Sequence, residues 1–245
     1  MKMLGLLGIT VVSLWSAEVY ATFEAQGAKE TLLGMNASGI VKKMLVQNGS
    51  VVRQGALLLE LDNREEKLSL QMAQADLTAV THECDFLGTQ YARYEKSAQV
   101  FDKNTLEKLK TELDTKRSQR QRAQLAVAYA QQKLAKTFLY APFSGSIGDK
   151  TVEVGGMVSG MGGAPLFKLI SNHTKLVLHY DSKYALSVNV GDRFCPAIDG
   201  KKTGQCTKIT RIYPSINPKN HQMSAESDMS GFRAGTFGDG IITTH

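Results

Sequence analysis

Five histidines, three cysteines and nine methionines are the side chains in this 245-residue sequence best suited to bind metal or carry redox chemistry. His82, His173, His179, His221 and His245 show no ligand spacing with one another, with cysteine or with carboxylates. A closed zinc site needs four such donors in register. The methionines are scattered, and one of them, Met3, falls in an N-terminal apolar run, so no soft-metal cluster forms. No nucleophile elbow, phosphate-cradling glycine loop or pair of catalytic carboxylates stands out. The sequence therefore reads as non-enzymatic, with no cofactor and no metal.

The cysteines are the remaining reactive groups. Cys195 and Cys206 lie in consecutive strand-like runs around Asp199-Gly200-Lys201-Lys202. A four-residue loop makes facing positions sum to 401 and sets Cys195 opposite Cys206. A two-residue Asp-Gly turn shifts the pairing so that they miss. The first register predicts a disulfide and leaves Cys84 as a free thiol, an arrangement suited to an oxidising compartment.

The N-terminus points to such a compartment. Met1-Lys2 is followed by the apolar run Met3–Trp15, and Val19 and Ala21 are the small residues a signal peptidase reads. Residues 1–21 are expected to be a cleavable export signal, which places the protein in the periplasm. The run is shorter than the roughly 20 residues of a comfortable membrane crossing, and an uncleaved tether is the alternative. The net charge of +6 is spread along the chain with no basic block, which argues against nucleic-acid binding.

From Asp62 to Thr137 glycine nearly vanishes and two heptad seams follow each other. The first runs Leu70, Ala73, Leu77, Val80, Cys84, Leu87, Tyr91, Tyr94. The second runs Leu106, Leu109, Leu113, Lys116, Arg120, Ala123, Val127, Ala130, Leu134, Thr137. Folding back near residue 100 makes facing positions sum to 200, so large residues meet small ones: Leu70 meets Ala130, and Leu77 meets Ala123. This predicts an antiparallel coiled-coil hairpin with arms on the order of 45 Å long. Lys116 then faces Cys84 and Arg120 faces Val80. Their stems can pack while the charges reach outward, or they can fix the register as polar seam residues do.

The stretch before the arm, Ala37 to Asp62, is repeated after it. With an offset of 106, Ser38-Gly39 falls on Ser144-Gly145, Val41 on Ile147, Gly49 on Gly155 and Val52 on Val158. After a short insertion near Gly162-Gly163, Leu58-Leu59 falls on Leu166-Phe167 and Leu61 on Leu169. Neither half can close a sheet alone. Two such halves resemble the lipoyl/biotinyl fold. In that fold a hairpin between the halves carries a modified lysine; here the arm occupies that junction, so Lys42, Lys43 and Lys168 read as surface residues. After Ile170, strand-like runs at Lys175–Tyr180, Val190–Ile198, Gly204–Ile216 and Gly231–Thr244 suggest a small antiparallel barrel.

In this order the parts resemble the periplasmic adaptor, or membrane-fusion, family (HlyD-like). The resemblance rests on YAPFSGSIGD (Tyr140 to Asp149), on Gly191-Asp192, on Ile212 to Asn217 and on Phe232 to Phe237. The last is similar to the Leu-Arg-Pro-Gly-Met-Phe element that closes the family's barrel. The fold implied is α+β: a split lipoyl-like barrel-sandwich hybrid (22–61 and 138–171) with an inserted antiparallel coiled-coil hairpin (62–137), followed by a small β-barrel (172–245). The function implied is a periplasmic adaptor that joins an inner-membrane transporter, of RND or ABC type, to a TolC-type outer-membrane channel. The resemblance also implies a homo-oligomer, commonly a hexamer. An adaptor of an ABC exporter or type I secretion system, and a truncated adaptor acting as a scaffold, are the alternatives.

At the hairpin tip the family's RND-pump members often carry Arg-x3-Leu-x6-Ser. Arg93 matches the arginine, whereas Ser97 stands at the leucine and Asn104 at the serine, with Thr105 next to it. Val100 and Phe101 are candidates to replace the missing apolar contact, and ordinary solvated loop residues are the alternative reading of all six. The family's further membrane-proximal domain has no counterpart in these 245 residues, so docking is expected to use the barrel alone, or the copy is truncated.

Overall fold

A computed structural model describes residues 17–97, 102–160, 162–198 and 200–244. The chain divides into two compact units, Thr31–Leu169 and a second made of Met1–Glu30 with Ile170–His245.

The first unit holds two four-stranded sheets. One has the order β2 (Glu30–Leu33), β9 (Phe167–Ser171), β7 (Gly145–Lys150), β4 (Val51–Val52). The other has the order β6 (Phe138–Tyr140), β5 (Leu57–Leu61), β3 (Gly39–Met44), β8 (Met157–Val158). Each sheet takes two strands from before the helices and two from after them, so the halves interlock.

The 106-residue repeat is visible bond by bond. Gly39 pairs with Val158, and Gly145 pairs with Val52. Val41 N–H donates to Gly156 O at 2.9 Å, and Ile147 N–H donates to Ser50 O at 2.9 Å. The Gln54 N–H donates to Ser144 Oγ, and the Gly160 N–H to Ser38 Oγ, both at 2.9 Å. Gly49 and Gly155 turn at φ 83° and 84°, a conformation that costs other residues about 1–2 kcal/mol. Between the sheets lie Val41, Ile147, Leu58, Leu59, Leu61, Phe167 and Leu169, each at most 1% exposed.

In the second unit six strands close into a barrel. Going round, they are β11 (Arg193–Ile198), β13 (Thr207–Ile212), β14 (Gln222–Asp228), β10 (Thr174–Asp181), β1 (Glu18–Gly27) and β15 (Phe237–Thr243), which pairs back onto β11. The short β12 (Lys201–Lys202) adds to β11. Phe23 meets Phe194 and Phe232 edge to face at 5.9 and 5.7 Å between ring centres. Gly240 is required beside them, since a Cβ there would lie 2.6 Å from the Phe194 ring.

Two elements of the barrel depart from the sequence reading. Residues 22–27, expected in the first lipoyl-like half, pair instead with β10 and β15 as part of β1, and Glu18–Ala21 of the expected export signal begin the same strand. The alternation Val19, Ala21, Phe23, Ala25 turns one face of β1 inward. Small residues that suit a peptidase also suit a tight barrel interior. The apolar run Met3–Trp15 lies outside the described residues. The other departure is β14, a largely polar strand outside the strand-like runs expected from the sequence. Its Glu226 is buried but matched: Tyr213 Oη donates to it at 2.7 Å, Arg211 pairs with it at 3.4 Å, and Lys175 also bonds it. Burial pushes the Glu226 carboxyl up, and these three partners outweigh that and hold it below the usual carboxylate range.

The cysteine region uses both registers that the sequence left open. Ile198 pairs with Lys201 and Ala197 with Lys202, the register of a two-residue turn. Thr203–Gln205 then bulge, with Gly204 at φ 74°, and the ladder resumes as Phe194↔Thr207 and Arg193↔Lys208, where partners sum to 401. The bulge absorbs two residues and brings Cys195 opposite Cys206, with Cα atoms 4.2 Å apart in a disulfide. Cys84 is free and buried. Closing a loop of this length stabilises by roughly 3 kcal/mol. Cys195→Ser is therefore expected to lower unfolding stability by about that amount, and thiol counting on denatured, non-reduced protein is expected to find one thiol. Three would contradict the bond.

Candidate functional site

Helix α1 (Arg64–Lys96) and helix α2 (Lys103–Ala135) leave and re-enter the sandwich between β5 and β6. At the base, Leu61 N–H donates to Thr137 O at 2.9 Å and Asp62 N–H to Ile40 O at 2.8 Å. Asn63, fully buried, ties the two helices together there. Its Nδ2 donates to Thr137 Oγ1 at 3.2 Å and to Glu60 Oε1 at 3.4 Å. Thr137 Oγ1 donates its own proton to Leu134 O at 2.7 Å, so it can only accept from Asn63, and this fixes the amide's orientation. Asn63 Oδ1 is left buried with no hydrogen-bond partner among the described residues. On the outside, Arg64 grips Asp62 at 2.7 and 3.0 Å, and that hydrogen bond holds the Asp62 carboxyl below its ordinary value.

Along the hairpin every residue of both heptad seams is buried or half-buried, while most positions between them are exposed. Cys84, Leu87, Leu109 and Leu113 form the buried centre, flanked by Tyr91 and Tyr94. Lys116 bonds Glu83, and Arg120 pairs with Asp85 at 3.6 Å. The two cations that interrupt the second seam thus swing off it onto carboxylates of the other helix. Their charges are matched across the hairpin.

At the far end, Arg93 is exposed in the last turn of α1 and Ser97 caps that helix, its N–H donating to Tyr94 O at 3.1 Å. Asp102 opens α2, its carbonyl accepting from the N–H groups of Thr105 at 3.0 Å and Leu106 at 3.3 Å. Asn104 and Thr105 are exposed in the first turn. Arg93, Ser97, Asn104 and Thr105 thus share one end of the hairpin. Val100 and Phe101 lie outside the described residues. Among the described residues no group of three or more His, Cys, Asp or Glu gathers as for a metal, and no helix is long and apolar enough to cross a membrane.

Sequence reasoning did not find the mount. Its signals were an asparagine at the helix boundary, a glutamate inside the apolar strand LLLEL, and a threonine ending the second seam. Asn63→Leu is expected to lower stability by about 1–3 kcal/mol, because Thr137 Oγ1 and Glu60 lose a buried partner. Asn63→Leu combined with Thr137→Val is expected to cost less than the sum of the single changes. Additive costs in denaturant unfolding would mean that the pair does not act together.

Residues 33–167 match the family described as RND MFP, barrel-sandwich hybrid domain. Among curated proteins, the chain is 28% identical over 157 residues to the membrane fusion protein MtrC of Neisseria gonorrhoeae, covering 62% of this chain and 38% of that one. It is 25% identical over 211 residues to an uncharacterised protein of Haemophilus influenzae, covering 83% and 50%. The chain spans about half the length or less of these two relatives. Among solved structures, a MacA–MexA chimera carrying the Pseudomonas aeruginosa MexA α-hairpin domain superposes with a TM-score of 0.77 at 20% identity, covering 94% of this chain and 83% of that one. Its likeness shows the fold. The matched domain spans both interlocked strand sets and the hairpin between them, and the chain belongs to the RND-type membrane fusion protein family, whose members are non-enzymatic adaptor subunits.

Proposed function

We propose that this chain is the periplasmic adaptor of a tripartite efflux system, bridging an inner-membrane transporter of RND type to a TolC-type outer-membrane channel. The observation that carries this reading is the helical hairpin fixed at one end into a split sandwich. Each helix has 33 residues, which makes an arm of roughly 50 Å. Its base is locked by buried hydrogen bonds, and its far end presents only polar, exposed groups among the described residues. A rod of this kind transmits position, and the absence of any catalytic constellation from the sequence fits that role.

In this reading the interlocked halves are a lipoyl-like module, and the hairpin is a coiled coil that replaces the modified-lysine turn. The tip, with Arg93, Ser97, Val100, Phe101, Asn104 and Thr105, contacts the channel, and copies of the chain assemble around a common axis as a hexamer. Arg93 is the residue best placed to donate to carbonyls or carboxylates of the channel's helical end, because its guanidinium offers several donors in a fixed fork. In this reading residues 18–27 belong to the barrel, and the sandwich begins near Thr31, which the pairing of β1 with β10 and β15 supports.

Arg93→Asp is expected to weaken site-specific crosslinking between the tip and an outer-membrane channel severalfold while leaving the helical circular-dichroism signal unchanged. Crosslinking at the wild-type level would count against the tip assignment.

A further inference from the structure

Strand β1 turns Val19, Ala21 and Phe23 into the barrel and leaves Glu18, Tyr20 and Thr22 on its outer side. Beside them on β10, His179 is half-buried between the buried Leu178 and Tyr180. The turn Ser182–Tyr184 and the loop at residues 220–222 rise around this face and enclose a concavity of about 410 Å³. That volume is within the usual range of small-ligand sites, about 300–1,000 Å³.

His221 fixes the lip. Its backbone is left-handed, with φ 52°, a conformation uncommon for residues other than glycine. Its N–H donates to Asn217 O at 2.9 Å, and its carbonyl accepts from Ser182 N–H at 3.1 Å, so the loop is pinned to the turn. Backbone held in this way collects at ligand clamps.

Several groups lining the concavity are unspent among the described residues. His179 gives Nδ1 to Ser224 Oγ at 3.0 Å and keeps Nε2. Gln222 Oε1 accepts from Asn220 Nδ2 at 2.9 Å, which leaves the Gln222 amide nitrogen as a donor. The Glu18 carboxylate and the Thr22 hydroxyl have no partner there. Two aromatic rings stand among these groups. Tyr20 is 61% exposed and donates its hydroxyl to Asp239 Oδ2 at 3.3 Å, and Tyr184 is half-buried.

The charges select against ions. Lys183, the lysine of the lining, pairs with Asp181 at 3.7 Å and lies 4.9 Å from the centre of the Tyr184 ring. It is therefore already engaged and poorly placed to hold a phosphate or a carboxylate. Among the described residues no three acidic, imidazole or thiol groups gather as for a metal. An apolar molecule would strip water from the unpaired carboxylate and imidazole nitrogen without replacing it, which is costly. An uncharged ligand with hydroxyls at its rim and C–H groups on its faces fits best. Hydroxyls donate and accept, as this mixed lining requires, and tyrosine rings cover an apolar face while keeping a polar tip. A pyranose has both features.

We propose that this outer face of the barrel binds a short neutral saccharide, with Tyr20 against a sugar-ring face and Glu18, His179 and Gln222 on its hydroxyls. The site lies within the barrel unit alone and does not depend on the adaptor reading. A soluble oligosaccharide and an N-acetylated cell-wall glycan share this chemistry.

The test is saturation-transfer difference NMR on the full chain with maltotriose and with triacetylchitotriose, each at millimolar concentration. Ring protons of at least one saccharide are expected to receive saturation, and the backbone amides of Thr22, His179 and Gln222 are expected to shift. Co-sedimentation with purified cell-wall glycan as well assigns the polymer as the source, and trisaccharide binding without it assigns a soluble sugar; both support the site. Tyr20→Ala and the nearly isosteric Glu18→Gln are each expected to weaken binding severalfold without changing the thermal unfolding transition. Phe237→Ala removes an exposed ring of β15 outside the concavity and is expected to leave binding unchanged. No transfer from either saccharide overturns the proposal, as does binding that survives both Tyr20→Ala and Glu18→Gln. Equal loss in Phe237→Ala would mean unspecific stacking and also overturns it. Inorganic phosphate or tetramethylammonium shifting the same amides where the saccharides do not would make the site ionic and overturn it.

Discussion

Backbone hydrogen bonds exchanged between Val41 and Gly155–Gly156, and repeated between Ile147 and Gly49–Ser50, hold together two strand sets that cannot each complete a sheet. Everything in the first unit depends on this reciprocity. Each sheet draws half its strands from each set, so the apolar faces of Leu58, Leu61, Phe167 and Leu169 are buried only when both sets are in place. An isolated half would leave its strand edges open and its core residues wet, and strand pairs of that size are marginal in water.

The helical insert carries the cost of bringing the sets together. Closing a flexible loop of that length costs roughly 4 kcal/mol, but paired helices deliver Glu60 opposite Phe138 and Leu61 beside Thr137. The seam around Cys84, Leu87, Leu109 and Leu113 and the cross-helix ion pairs contribute to that delivery, and the buried Asn63–Thr137 bond fixes the final geometry. The same contacts that help the sandwich form also make the arm rigid at its base. Folding and the proposed bridging role would thus be served by one set of interactions.

Much of the hairpin and repeat was legible because both depend on periodicity. Heptad steps survive substitution so long as residue size and polarity are kept, and an offset of 106 placed Gly49 on Gly155 with the same left-handed backbone. What escaped depended on partners distant in sequence. The N-terminal strand β1 is recognisable as a barrel strand only once β10 and β15 flank it, and read alone its small residues look like a processing site. The polar strand β14 is stabilised by Lys175, Arg211 and Tyr213, which no local pattern connects to Glu226. The two cysteine registers looked exclusive because a bulge at Thr203–Gln205 was not foreseen. At the tip, the positions of Arg93, Ser97, Asn104 and Thr105 at one end follow from the fold-back alone.

Native-state hydrogen exchange at Val41 and Ile147 tests the interlock most directly. The account predicts that these amides, 106 residues apart in sequence, are protected to the same free energy, and that Ile147→Ala lowers protection of Val41 as much as that of Ile147. Protection of Val41 that is unaffected by Ile147→Ala would show that the first half stands without the second, and would contradict the account.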